Sequence, residues 1–326
     1  MSSSPHPPTL PADMLRSHAF AALQPGPRLI VIGGVHGNET CGTEGIERVR
    51  AELDGGDLQL LRGRLTMVPV ANPLARRRLQ REGERNLNRL FQPTPANQAP
   101  ADYEARLTDL LCPLLDQHDV LLDLHSFQSA GEAFAMIGPR DNAGTLEPFA
   151  RAREEGQLAL HLGTPRVVEG WLDIYAAGLA QRSPGQPVDE AALAFGWGTN
   201  EYMRSRGGYG VTLECGQHDD PSAPDVAQAA IHSALRLLGM VAGPVRAPMP
   251  PELLRLVSVT DRLDEEDQFV REWATFDAVV AGESIALRAD GTVLKAERDG
   301  FIVFPNSQAL PGTEWFYFAE SSDRTL

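Results

Sequence analysis

His36 and Glu39 stand three residues apart in Leu29-Ile-Val-Ile-Gly-Gly-Val-His36-Gly-Asn-Glu39-Thr, directly after an apolar run that ends in two glycines. An imidazole and a carboxylate at that spacing can converge on one cation, and the combination suits Zn²⁺. Polar residues after a strand also cap helices, so the pair gains its meaning from the rest of the chain. A second histidine, His125, follows the run Val120–Leu124 in Asp123-Leu-His125-Ser126, and Glu214 closes a third run at Gly210–Leu213. Three strand ends thus bring two histidines and two glutamates toward one neighbourhood. Two histidines with one carboxylate make an open catalytic zinc site that keeps a position for water. A further glutamate outside the ligand set can serve as general base for that water.

Between these motifs lies Asn86-Leu-Asn88-Arg89-Leu-Phe91. An amide and a guanidinium side by side can grip one carboxylate, which would select substrates with a free acid; loop capping and surface charge are the plainer alternative. The preceding run Arg76-Arg-Arg-Leu-Gln-Arg81-Glu-Gly-Glu-Arg85 reads as a solvated face over Arg76–Arg78, or as a cationic wall for a small anion. No Gly-x-Ser-x-Gly elbow, G-x-G-x-x-G turn or Walker A loop occurs.

These residues need elements to position them. Short apolar runs at Arg28–Ile32, Leu65–Val70, Val120–Leu124, Phe134–Ile137 and Gly210–Glu214 predict strands. Helical stripes fall between them at Ile46/Val49/Leu53, at Leu107/Leu110/Leu114, and at Ile231/Ala234/Leu235/Leu238. Pro113 is expected to kink or end the second helix. The alternation predicts an α/β domain with a central mixed sheet flanked by helices. The stretch from about Asp141 to Tyr209 reads as elaborated loops over the sheet edge. After Gly243-Pro-Val-Arg-Ala-Pro-Met-Pro-Pro-Glu252, read as a semi-rigid linker, short strands and turns predict a small all-β domain. The expected organisation is a disordered tail over residues 1–20, a hydrolase domain over 21–243 and a small β domain over 244–326.

At 326 residues, 42% hydrophobic and 22% charged, the chain has the composition of a globular protein of about two domains. No apolar run approaches the ~20 residues of a membrane span, and the start lacks the pattern of a secretory signal. A net charge of −15 argues against a nucleic-acid partner. Three scattered cysteines without C-x-x-C spacing fit reduced thiols in a cytoplasmic protein. The sequence is compatible with a homo-oligomer.

Taken together, Gly34-Val-His36-Gly-Asn-Glu39-Thr, Asn86-Leu-Asn88-Arg89-Leu-Phe, Asp123-Leu-His125-Ser126 and Thr212-Leu-Glu214 resemble the zinc carboxypeptidase superfamily, and within it the succinylglutamate desuccinylase/aspartoacylase family. The motifs occur in the family's order over roughly residues 28–240, and Ala296-Glu-Arg-Asp-Gly300-Phe-Ile-Val-Phe304 resembles the family's C-terminal module. The resemblance implies a zinc-carboxypeptidase-like domain holding one Zn²⁺ per subunit on His36, Glu39 and His125. It also implies Glu214 as catalytic glutamate, and Asn88 with Arg89 as the grip on the substrate carboxylate. Arg81 matches by spacing the arginine that polarises the scissile carbonyl, with Arg85 close enough to compete. The family usually has Asp-Leu-Asn-Arg where this chain has Asn86, and that departure bears on how Arg81 or Arg89 is held. The implied activity is hydrolysis of the amide bond of a small anionic N-acyl amino acid. His125-Ser126-Phe127 is nearer the peptidase form of its motif and keeps a carboxypeptidase-like alternative in view. A non-catalytic metal-binding module is the third reading.

Overall fold

A computed structural model describes residues 14–144, 146–182, 185, 190–248 and 250–326 of the chain. Strands and helices alternate at first: β1 (His18–Ala21), β2 (Arg28–Gly33), α1 (Cys41–Gly55), β3 (Arg64–Val68), α2 (Pro73–Arg78), α3 (Tyr103–Leu115) and β4 (Val120–Phe127). There follow β5 (Phe134–Met136), α4 (Ala152–Leu162), β6 (Arg166–Glu169), α5 (Trp171–Arg182), α6 (Glu190–Ala194), α7 (Thr199–Ser205), β7 (Tyr209–Gln217) and α8 (Ala223–Leu237). The rest is strands: β8 (Glu252–Asp261), β9 (Gln268–Phe269), β10 (Asp277–Val279), β11 (Ser284–Leu287), β12 (Val293–Lys295), β13 (Gly300–Val303) and β14 (Glu314–Ser321).

The mixed sheet runs β1-β3-β2-β4-β7-β5-β6-β8-β14-β13-β10. Its centre, β3-β2-β4-β7, is parallel, so β2, β4 and β7 deliver their carboxyl ends to one edge. Alternation along β2 builds a core on each face. Leu29 and Val31 pack with α1 and α8, whereas Ile30 and Ile32 pack with Leu107 and Leu111 of α3. All eight residues of β4 are buried, as expected of a strand covered on both sides.

Several expectations need correction. The buried face of α3 is Tyr103, Leu107, Leu111 and Leu115, while Leu110 is 54% exposed; the i, i+4 row, rather than the i, i+3 pairing, faces the sheet. The helix runs two residues past Pro113, to Leu115. The stretch 141–209 holds four helices and β6 rather than loops alone. Its pattern is masked because Glu155, Glu201 and Arg204 are buried as partners of one another, placing charge where a stripe would show apolar residues. Residues 1–13 of the supposed tail lie outside the described residues, and His18–Ala21 already pairs antiparallel with β3.

The C-terminal strands join the central sheet. β8 lies parallel beside β6 and carries β14, β13 and β10 outward, so an otherwise open sheet edge is covered. The remaining strands, β12-β11-β9, form a separate small sheet. Near the C-terminus, buried Arg324 donates to Gly138 O at 2.6 Å and meets Glu169 Oε2 at 2.8 Å.

Candidate metal centre and substrate cleft

After β2 the chain turns at Gly34, whose φ of +61° favours glycine, and His36 and Glu39 occupy the turn before α1. Gly37 lets that turn lie against α2, because a Cβ there would sit 2.0 Å from the Ala75 carbonyl carbon. His125 sits inside β4, and Glu214 is its register partner on β7. Local backbone therefore sets all four positions.

His36, Glu39 and His125 are each 2% exposed, and a set of their ligand atoms lies within 4.8 Å of one another. The Glu39 carboxylate sits between the rings. His36 Nδ1 is 2.8 Å from its Oε1, and His125 Nδ1 is 2.9 Å from its Oε2. The Ser126 amide also donates to Oε2. The far side of each ring meets another polar group. Asn86 Oδ1 is 3.0 Å from His36 Nε2, and Asp123 Oδ2 is 2.9 Å from His125 Nε2, the latter at ion-pair distance without hydrogen-bond geometry. Asp123 in turn accepts from the Thr199 hydroxyl. Partners of this kind orient ligand imidazoles.

Burial and Arg81 hold the His36 pKa down at about 4, against the opposing pull of Glu39. Burial would raise Glu39, but His36 and His125 outweigh it and keep that carboxyl well below its usual range. His125 is raised well above its usual value because Asp123 and Glu39 overcome its burial. Neutral His36 donates through Nε2 to Asn86, so its Nδ1 lone pair faces a carboxylate oxygen at 2.8 Å. Two acceptors set head to head call for a cation between them. A buried set of two imidazoles and one carboxylate has the donor chemistry of Zn²⁺.

Glu214 is 8% exposed, and its Oε2 is buried without a hydrogen-bond partner. Burial, with Glu39 adding to it, raises its pKa to about 8 against the pull of His125 and Arg81. Arg81 Nη1 lies 3.1 Å from Glu39 Oε1, so this arginine stands beside the His36–Glu39–His125 cluster. Arg85 is occupied elsewhere, by Asp102 at 2.7 Å and by the carbonyls of Asn86 and Arg89. Asn88 Oδ1 accepts from the Thr199 amide, and Arg89 places its guanidinium 4.9 Å over the Trp171 ring. No carboxylate among the described residues pairs with Arg89. Among the described residues the Asn86 side chain hydrogen-bonds His36 and the Asn88 amide, and neither Arg81 nor Arg89. Its replacement of the expected aspartate therefore bears on His36.

One residue that sequence reasoning passed over shapes this loop. Glu104, fully buried in the first turn of α3, accepts from the amides of Gly83, Glu84 and Arg85 and from Asn72 Nδ2. It pins the segment carrying Arg81, Asn86, Asn88 and Arg89. No sequence signal marks it apart from an ordinary acidic residue at a helix start. Trp171 and Tyr317 also line the cleft of about 580 Å³, together with His36, Glu39, His125 and Glu214.

Residues 25–154 match the family model of the succinylglutamate desuccinylase/aspartoacylase catalytic domain. That span contains His36, Glu39, Arg81, Asn88, Arg89 and His125 and stops before Glu214. N-alpha-acetyl-L-2,4-diaminobutyric acid deacetylase from Halomonas elongata is 26% identical over 304 residues, 88% of this chain and 81% of the relative. A succinylglutamate desuccinylase/aspartoacylase from Rhodobacter sphaeroides superposes with a TM-score of 0.69 at 17% identity, covering 94% of this chain and 90% of that one. The product-bound ectoine utilization protein from Ruegeria pomeroyi gives 0.68 at 18% identity, covering 98% and 99%.

Proposed function

Because this chain belongs to the succinylglutamate desuccinylase/aspartoacylase family, we propose that it is a zinc-dependent deacylase that hydrolyses the amide bond of an N-acyl amino acid. The observation that carries the reading is the convergence of His36, Glu39 and His125 beside a buried, partnerless oxygen of Glu214. The deacetylase activity named for the Halomonas relative supports the substrate class.

In this reading His36, Glu39 and His125 would hold one Zn²⁺, which would supply Lewis acidity and acidify a water near neutral pH. Glu214, through its unpartnered Oε2, would accept a proton from the attacking water and later deliver it to the departing amine. Arg81 donates to the oxygen of the scissile carbonyl as negative charge develops there. Arg89, free of carboxylates and backed by Trp171, grips the substrate carboxylate, with Asn88 beside it. The three thiols, all free and buried, fit a reducing cytoplasm. Among the described residues no helix is long and apolar enough to cross a membrane.

The test is metal analysis combined with turnover of N-acetyl amino acids, their C-terminal amides and short peptides. Stoichiometric zinc and cleavage of the N-acetyl acids support the reading. Faster cleavage of short peptides would favour the carboxypeptidase-like alternative, and zinc binding without any turnover would favour a non-catalytic module.

A further inference from the structure

The charges of the cleft restrict which N-acyl amino acid it can take. Three arginines line it, and the chain's one lysine, Lys295, lies on β12 outside it. Arg204 is spent: its side chain is 3% exposed, and it contacts Glu155 at 2.7 Å, Glu147 at 2.7 Å and Glu201 at 3.2 Å. Arg81 stands at the Glu39 carboxylate. Arg89 alone of the three faces the cleft without a carboxylate partner among the described residues. Five carboxylates share the same lining: Glu39 and Glu214 at the base, with Glu82, Glu201 and Glu314. Glu201 is taken up by Arg204, and Glu314 lies 3.7 Å from Arg182, so Glu82 is the lining carboxylate outside the base with no cation paired to it among the described residues.

We propose that the preferred substrate is an N-acyl amino acid with a single carboxylate, a short uncharged acyl group, and a side chain that is cationic or neutral but not acidic. This rests on the deacylase reading above and narrows its substrate class. One carboxylate finds Arg89. A second, on a succinyl group or an acidic side chain, meets no unspent cation, loses its hydration and faces Glu82 or Glu314. An ammonium-bearing side chain gains from the same carboxylates.

The closing experiment uses the zinc-loaded enzyme and four substrates: an Nα-acetyl diamino acid, an N-acetyl neutral amino acid, N-acetylaspartate and an N-succinyl amino acid. The expected kcat/KM falls in that order, with the two dianionic substrates at least about tenfold below the first two, as loss of a charge-assisted partner implies. Binding of the corresponding free amino acids to the Glu214→Gln protein, read by calorimetry, should rank diamino above neutral above acidic without any chemistry. Glu314→Gln should narrow the gap between aspartate-type and neutral substrates. Equal or faster turnover of the dianionic substrates would overturn the inference while leaving the deacylase reading intact. Failure to cleave any of the four despite bound zinc would overturn both.

Discussion

Asn86 Oδ1 accepts the Asn88 backbone amide at 2.9 Å and lies 3.0 Å from His36 Nε2. The backbone N–H sets the orientation of the amide, so the oxygen faces the ring and His36 must donate through Nε2. That choice of tautomer leaves the Nδ1 lone pair directed at Glu39 Oε1. A neutral amide here should polarise the ring less than the family's aspartate would. Asn86→Ala is expected to weaken zinc affinity about 10- to 100-fold, and Asn86→Asp to strengthen it, in a competitive chelator titration. Unchanged affinity in both variants would remove Asn86 from this role.

The two glutamates of the site should separate cleanly. Glu39→Gln is expected to lose most of its zinc, since the carboxylate between the rings is gone. Glu214→Gln should keep zinc and lose about 10²- to 10⁴-fold in kcat, the usual worth of a general base. Metal content and turnover on both proteins check this, and equal metal loss would make Glu214 a ligand.

Arg89→Ala should lower kcat/KM for an N-acetyl acid by about ten- to a hundredfold, from the ~1.5–3 kcal/mol of a charge-assisted hydrogen bond. The C-terminal amide of the same substrate should be cleaved slowly by both proteins. If the native enzyme cleaved amide and acid equally well, the carboxylate grip would be elsewhere or absent.

Glu104 reaches the site only through the loop it pins. Glu104→Gln turns an acceptor oxygen into a donor against amides that are themselves donors, at a cost of about 2–3 kcal/mol. Thermal unfolding should record that loss. A larger rise in KM for N-acetyl acids than for their amides would show that the loop's arginine, and not stability alone, has been displaced.

In the C-terminal strands, buried Asp267 accepts from the amides of Leu263, Asp264 and Ala289 and meets Arg288 at 2.6 Å. Burial opposes ionisation, yet these donors hold its pKa down at about 2. A depressed carboxyl contributes stability that is present above its unfolded pKa of about 4 and is lost as pH falls toward 2. The contribution is on the order of 2 kcal/mol. Asp267→Asn should therefore be less stable at pH 7 and show a flatter acid limb in urea titrations between about pH 4 and 2.

The strands that carry chemistry were legible because each is a short apolar run closed by glycine or a polar ligand, and period-two burial follows directly from such runs. His36, Glu39, His125 and Glu214 could be nominated from their places at strand ends, since parallel strands deliver their carboxyl ends together. The tertiary structure decided what sequence spacing cannot express. Spacing favours Arg81 with Arg85 close enough to compete; contacts with Glu39 in one case and Asp102 in the other distinguish their surroundings. Asn86 acts on a histidine 50 residues away, and Glu104 on a loop some 20 residues before it. The helices between 141 and 209 were hidden because buried charges break an apolar stripe while satisfying one another in space. Strand β8 pairs with β6, a contact between strands separated by four helices and a further strand. Local pattern determines which face of an element is apolar. Only packing decides which polar groups meet, because those meetings depend on distances that no periodicity records.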